Sequence, residues 1–186
     1  MTTISVQIIP ILKDNYTYLL EAEDGTTAIL DPGEADPVIS VLEDRGLKLD
    51  YILNTHHHWD HVNGNPKLQK HFGAKLVVPE KEKDQIKGNI NITLNEGDIF
   101  ELGPASANII ETPGHTMGHI CYHFAASDVL FTGDTVFSMG CGRLFEGTAE
   151  DMFKSFEKIK ALPDDTMIYC GHEYTRGGAA LYSCPQ

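Results

Sequence analysis

The sequence predicts a single α+β domain, and three observations lead there. Short β-branched or apolar runs recur along the chain at turn-marked intervals, two amphipathic segments carry helix-end signals, and 41% of the 186 residues are hydrophobic. Such a chain can bury one sizeable core, and its length falls within the range of one domain.

The elements follow in order. Ser5-Val6-Gln7-Ile8-Ile9, Tyr16-Thr17-Tyr18-Leu19-Leu20 and Thr27-Ala28-Ile29-Leu30 are separated by Lys-Asp-Asn and Glu-Asp-Gly turn chemistry, a β-meander pattern. A helix is predicted from Asp36 as N-cap, through Pro37 at the first helical position, to Gly46 as the stop, with Val38, Val41 and Leu42 on one face. Tyr51 to Asn54 reads as a short buried strand, Val62 to Phe72 as one helix, and Lys75 to Val78 as a strand ending at Pro79. Strands are then expected at Ile99 to Leu102, Ala107 to Glu111, His119 to Phe124 and Val129 to Phe131. Thr148 and Asp151 hold capping-box positions before a helix that runs to Ala161, with Met152, Phe153 and Phe156 expected in the core. Met167 to Cys170 is the last predicted strand.

A formal net charge of -13 opposes non-specific binding to nucleic acid or to an anionic membrane, so neither is expected as a partner. The four cysteines show no CxxC spacing and read as reduced, buried thiols, which points to the cytoplasm, with the mitochondrion as the alternative. No export signal or long apolar run is readable, and a monomer is expected.

The chemistry concentrates in Thr55-His56-His57-His58-Trp59-Asp60-His61, joined at long range by His115 in Thr-Pro-Gly-His, Asp134 in Thr-Gly-Asp and His172 in Cys-Gly-His. Imidazole nitrogen and carboxylate oxygen without thiolate suit Zn, Mn or Fe. Each of these residues sits just past the end of a predicted strand, where one sheet edge can gather segments distant in sequence. His56, His58, Asp60, His61, His115, Asp134 and His172 are too many donors for one tetrahedral ion. They suit two divalent ions, zinc first and iron or manganese next, with Asp134 shared between them.

These motifs resemble those of the metallo-β-lactamase fold superfamily, whose members stack two mixed sheets between helices in a four-layer αββα sandwich. Asp31-Pro32-Gly33-Glu34-Ala35, Gly133-Asp134-Thr135, the run Gly140 to Thr148 and Cys170-Gly171-His172-Glu173-Tyr174-Thr175 resemble, more narrowly, the glyoxalase II family of hydroxyacylglutathione hydrolases. The resemblance implies that His56, His58 and His115 hold a first metal, Asp60, His61 and His172 a second, and Asp134 both. It further implies that Asp60 and Asp134 are catalytic, that Arg143 and Tyr174 contact the glutathione moiety, and that the reaction is hydrolysis of an S-(2-hydroxyacyl)glutathione such as S-D-lactoylglutathione, in methylglyoxal detoxification. Phe145 stands where some members have Tyr. The resemblance covers about Ile4 to Thr175, so residues 1–175 are read as the hydrolase domain. Residues 176–186 do not resemble the all-helical region that follows in the family and are read as a short divergent tail.

Other readings stay beside this one. His57, His71, His119 and His123 are taken as non-ligands, Trp59 as packing under the ligand loop, and Gly140, Gly142 and Gly147 as serving tight turns rather than a phosphate cradle. A β-lactamase or phosphodiesterase-like hydrolase of the same fold, and a metal-binding protein with little activity, are the alternative functions.

Overall fold

The structure is a computed structural model that describes residues 2–182. Strands β1 (Ile4–Ile11), β2 (Asn15–Ala22) and β3 (Thr27–Leu30) form the antiparallel meander that the turn chemistry predicts. Helix α1 (Asp36–Asp44) crosses to β4 (Tyr51–Leu53), parallel to β3, and α2 (Trp59–Val62) and α3 (Asn65–Phe72) lead to β5 (Lys75–Pro79), parallel to β4. With β6 (Ile90–Leu94) these make a six-stranded sheet in sequence order. The second sheet comprises β7 (Ile99–Leu102), β8 (Ala105–Glu111), β9 (Ile120–Phe124) and β10 (Val129–Gly133). After a small hairpin, β11 (Val136–Phe137) and β12 (Gly140–Cys141), and helix α4 (Ala149–Lys160), strand β13 (Met167–Cys170) pairs parallel to β10 and completes the order β13-β10-β9-β8-β7. Helix α5 (Thr175–Tyr182) follows.

Side-chain alternation builds the layers. Successive residues of a strand point to opposite faces, so each central strand of the first sheet feeds two cores. Leu20, Leu30, Leu53 and Val77 face the second sheet and pack with Phe100, Ile109, Tyr122 and Phe131. Leu19, Ile29, Ile52, Leu76 and Val78 face outward and are covered by Val38 and Leu42 of α1 and Leu68 of α3. That is why these parallel strands read as continuous apolar runs. On the far side, Ile159 and Leu162 at the end of α4 line one hollow with Leu130 and Ile168 of the second sheet. Helix, sheet, sheet and helix give the αββα sandwich, and among the described residues no helix is long and apolar enough to cross a membrane.

Several local expectations are corrected. Asp36 is the first residue of α1 rather than its cap; Ala35 holds the cap position without a side-chain bond, and the Asp36 carboxylate pairs with Lys67. The helix expected from Val62 to Phe72 is broken, because Pro66 has no N–H to continue the ladder and the Gly64 N–H turns to the Pro32 carbonyl (2.8 Å). Strand β6, whose Ile90, Ile92 and Leu94 alternate with polar residues, was not predicted, nor were the β11–β12 hairpin and α5, which occupies most of the expected tail. Phe153 is exposed and Phe156 half-buried, so Met152 and Ser155 are the buried residues of α4; its Thr148–Asp151 capping box forms as expected. Cys121 is buried, but Cys141 is exposed and Cys170 only half-buried; Cys184 lies outside the described residues.

Candidate metal centre

The seven chemistry-bearing residues meet at one edge of the sandwich. Strands β4, β8, β10 and β13 all end there, followed by the segments that carry His56 to His61, His115, Asp134 and His172. The edge is stitched across the sheets by Ile120 N–H to the Thr55 carbonyl (3.0 Å) and Tyr122 Oη–H to the Asn54 carbonyl (3.0 Å), and within the second sheet by Gly171 N–H to the Gly133 carbonyl (2.8 Å). Such a frame holds the loops in fixed register while their side chains point out past the strands.

Hydrogen bonds on the far side of four rings, those of His56, His61, His115 and His172, decide which nitrogen faces the centre. Asp31, 1% exposed and at φ +52°, accepts from Thr55 N–H (2.8 Å) and Thr55 Oγ1–H (2.6 Å). With its proton committed to Asp31, the Thr55 hydroxyl can only accept from His56 Nδ1–H (3.0 Å), which leaves His56 Nε2 a bare lone pair. Asp31 also accepts from His61 Nδ1–H (3.1 Å), Asp14 from His172 Nδ1–H (3.0 Å) and the Arg143 carbonyl from His115 Nδ1–H (2.8 Å). Orienting a ligand ring through its second nitrogen is the usual support of a metal-bound histidine.

Two donor groups result. His56 Nε2 and His115 Nε2 lie 3.1 and 2.9 Å from His58 Nδ1, and the Nε2 atoms of His61 and His172 are 3.3 Å apart with Asp60 Oδ2 at 3.7 and 3.4 Å. Asp134 reaches both: one oxygen is 3.4 Å from His61 Nε2, the other 3.4 Å from His115 Nε2 and 3.3 Å from His172 Nε2. Its Oδ1 is buried without a hydrogen-bond partner, and the three facing nitrogens of His56, His58 and His115 share at most the one proton that His58 Nδ1 can carry. Positive charge is what each of these atoms lacks. The donor set therefore fits divalent metal ions, which His56, His58 and His115 could hold in the first group and Asp60, His61 and His172 in the second.

The electrostatics point the same way. Burial lowers the pKa of His56, His58 and His115, and neighbouring rings push His56 far down. Burial also opposes protonation of His61, but Asp134 and Asp31 outweigh it and raise its pKa to about 9; Asp134, Asp60 and Asp14 likewise raise that of His172 to about 10. Burial opposes ionisation of Asp134 and Asp60, yet the facing histidines hold Asp134 at about 2 and, with Asn15, hold Asp60 well below the usual carboxylate range. Left alone, the cluster gathers protons; a cation takes their place.

The centre opens into a cleft of about 660 Å³ lined by Trp59, Phe137, Cys141, Arg143, Phe145 and Tyr174. Tyr174 stacks on the His172 ring with centroids 4.8 Å apart and planes at 7°, and Phe145 meets the rings of His58 and His115 edge-on at 5.4 and 5.3 Å. The Arg143 side chain makes no ion pair among the described residues. Trp59 is 66% exposed on the cleft wall and does not pack beneath the loop. Gly142 and Gly147 serve close approach rather than turns: a Cβ on Gly142 would lie 2.7 Å from His115 Nδ1, and one on Gly147 2.7 Å from Gly114 Cα.

None of the four histidines set aside belongs to either donor group, although His119 stacks on the His56 ring with centroids 5.0 Å apart. His71 faces Glu43 on the surface, His57 turns to Glu82, and His123 lies in β9. His119 accepts from Asp134 N–H (3.1 Å) and has its pKa lowered to about 3 by burial and then His115, so it holds the Asp134 backbone as a neutral ring. Four supporting residues were not anticipated: Asp14, Asp31, Glu82 and Asn15, whose amide donates to Asp60 Oδ2 (3.0 Å). Asp31 lay within a motif that the sequence singles out, and Asp14 and Asn15 within the Lys-Asp-Asn turn, which was read only as a turn.

The metallo-beta-lactamase superfamily profile matches residues 12–172. The chain is 49% identical over 172 residues to a hydroxyacylglutathione hydrolase of Pelagibacter ubique, covering 92% of this chain and 72% of that one. It is 48% identical over 172 residues to the hydroxyacylglutathione hydrolase of Methylococcus capsulatus, covering 92% and 67%. Among solved structures, the B3 metallo-beta-lactamase BLEG-1 superposes with a TM-score of 0.85 at 26% identity, over 91% of this chain and 92% of that one.

Proposed function

The chain belongs to the metallo-beta-lactamase superfamily and, within it, to the hydroxyacylglutathione hydrolases, and we propose that it hydrolyses S-(2-hydroxyacyl)glutathione thioesters such as S-D-lactoylglutathione to glutathione and a 2-hydroxy acid, D-lactate, in methylglyoxal detoxification. The observation that carries this reading is the pair of donor groups joined by Asp134 at the floor of a cleft whose wall holds Arg143 and Tyr174. Two divalent ions, zinc first among the candidates, would supply an acidified water and positive charge beside the thioester carbonyl.

The residues of the chain have these roles in the proposal. His56, His58 and His115 hold one ion, Asp60, His61 and His172 the other, and Asp134 both. Asp60, fixed by the Asn15 amide and ionised at neutral pH, keeps an acceptor oxygen toward the water and orients it. Arg143 supplies a cation for a glutathione carboxylate. Burial, with Asp14 next, raises the Tyr174 pKa to about 12, which keeps its hydroxyl a donor. Water loses one proton to solvent as its oxygen bonds the acyl carbon, the C–S bond breaks, sulfur departs as a thiolate, and the acid formed releases its proton to become a carboxylate; a thiol of pKa about 8.5 is a good enough leaving group to need no separate acid. A cytoplasmic monomer is part of the same proposal, as is the exclusion of nucleic-acid and membrane partners, which the net charge of -13 supports.

The test is turnover of S-D-lactoylglutathione by metal-loaded protein, with metal content measured on the same sample and nitrocefin and a phosphodiester as competing substrates. Thioester turnover with two ions per chain is expected. Turnover of nitrocefin or the diester alone would replace the reading with another hydrolase of this fold.

A further inference from the structure

Glu82 is a carboxylate with no part in the proposed chemistry, yet it is 1% exposed and fully engaged. It lies on a short 3-10 helix, Glu80–Glu82, directly after β5. Its Oε2 accepts from the His57 backbone N–H (2.9 Å) and bonds His57 Nδ1, while Oε1 accepts from Thr116 Oγ1–H (2.7 Å) and Gly118 N–H (2.9 Å). Position 118 is shaped around it, since a Cβ there would stand 2.6 Å from both Cγ and Oε1 of Glu82. His57 sits between His56 and His58, and Thr116 adjoins His115. One side chain thus ties together the two loops that supply all three nitrogens of the first donor group. It touches neither Asp60 nor His172, whose supports are Asn15 and Asp14.

We propose that Glu82 is a positioning residue that sets the first metal position by clamping the His56–His58 loop to the His115 loop. The charge matters as much as the reach: both oxygens face donors only, so a carboxylate satisfies every partner and a carboxamide satisfies half. The nitrogens of His56 and His115 each lie about 3 Å from His58 Nδ1, and a clamp on the backbone beside each loop's ligand keeps that spacing without an ion present. The proposal rests on the metal centre but not on the thioester reading.

The experiment is zinc titration of chelator-stripped, full-length protein in competition with a chromogenic chelator, which separates two binding steps, together with thermal melts of the stripped forms. Glu82→Gln keeps size but sets its amide N–H₂ against a donor. One step is expected to weaken by roughly 10–100-fold while the other stays within about twofold, with a melt of the stripped protein close to wild type. Thr116→Val removes one of the four donors and is expected to weaken the same step by less. Unchanged steps in both variants, or equal weakening of both steps together with an earlier melt, would overturn the clamp and make Glu82 a general stabiliser. If Glu82→Gln fails to fold, Thr116→Val decides alone: loss confined to one step supports the proposal and no loss overturns it. Wild-type protein that binds no zinc would overturn the metal centre itself and the clamp with it.

Discussion

Protein stripped of metal is predicted to lose stability as pH rises from 6.5 to 9, and metal-loaded protein is predicted not to. His61 and His172 have folded pKa values of about 9 and 10, above the unfolded value of 6.5. Their contribution is therefore fully present below pH 6.5 and is lost as pH rises through 9 to 10. His56 and His119 have lowered values, so they act in the opposite window and remove stability as pH falls below 6.5. Stripped protein should be most stable near pH 6.5. The size follows from Asp134, which both raised histidines share: its pKa falls from 3.8 to about 2, while that of His61 rises from 6.5 to about 9. Taking the smaller shift and not adding the two histidines, because they draw on one carboxylate, gives a loss of roughly 2–3 kcal/mol between pH 6.5 and 9. Buried cysteine and tyrosine groups titrate higher and act on both forms alike. Urea unfolding at pH 6.5, 7.5, 8.2 and 9, with and without saturating zinc, measures the gap between loaded and stripped protein. The gap should widen with pH, because zinc displaces the protons of His61 and His172. A gap that stays constant would mean that these histidines are neutral in the stripped protein and that the electrostatic case for the centre is wrong.

Asp60→Asn keeps the Asn15 contact within reach but removes the negative charge at the second donor group, so turnover should fall by at least about a hundredfold with little change in the circular dichroism spectrum; wild-type turnover would remove Asp60 from the mechanism. Arg143→Ala should raise KM more than it lowers kcat, with a defect that shrinks at high salt, as a screened contact to a glutathione carboxylate requires; steady-state kinetics at two ionic strengths decide it. Leu53→Ala opens a cavity between the sheets at a fully buried position and should cost about 2–5 kcal/mol in urea unfolding, and a cost under about 1 kcal/mol would contradict the packing described.

The layered fold was largely legible because its signals are local. Alternation and turn residues mark β1 to β3, and a capping box marks α4. Where the sequence reading failed, a local signal lost to a neighbour in space. Gly64 turns to the Pro32 carbonyl and ends α2, and Phe153 lies on the apolar stripe of α4 but faces solvent because Met152 and Ser155 take the packed positions. Trp59 falls inside the ligand segment, yet the loop turns outward there and exposes the ring to the cleft.

By itself the sequence determined which residues could bind metal, because donor chemistry belongs to side chains: His56, His58, Asp60, His61, His115, Asp134 and His172 were all named from it, and the structure brings all seven to one edge. Only the tertiary structure decided how they are aimed. Asp31 lies 30 positions from His61, and Asp14 158 from His172, so no periodicity links those pairs. Glu82 lies 34 and 36 positions from Thr116 and Gly118. A hydrogen bond acts over about 3 Å and is indifferent to distance along the chain. Which nitrogen of a ring is left bare, and which loops are clamped together, is fixed only when the two sheets close on one another.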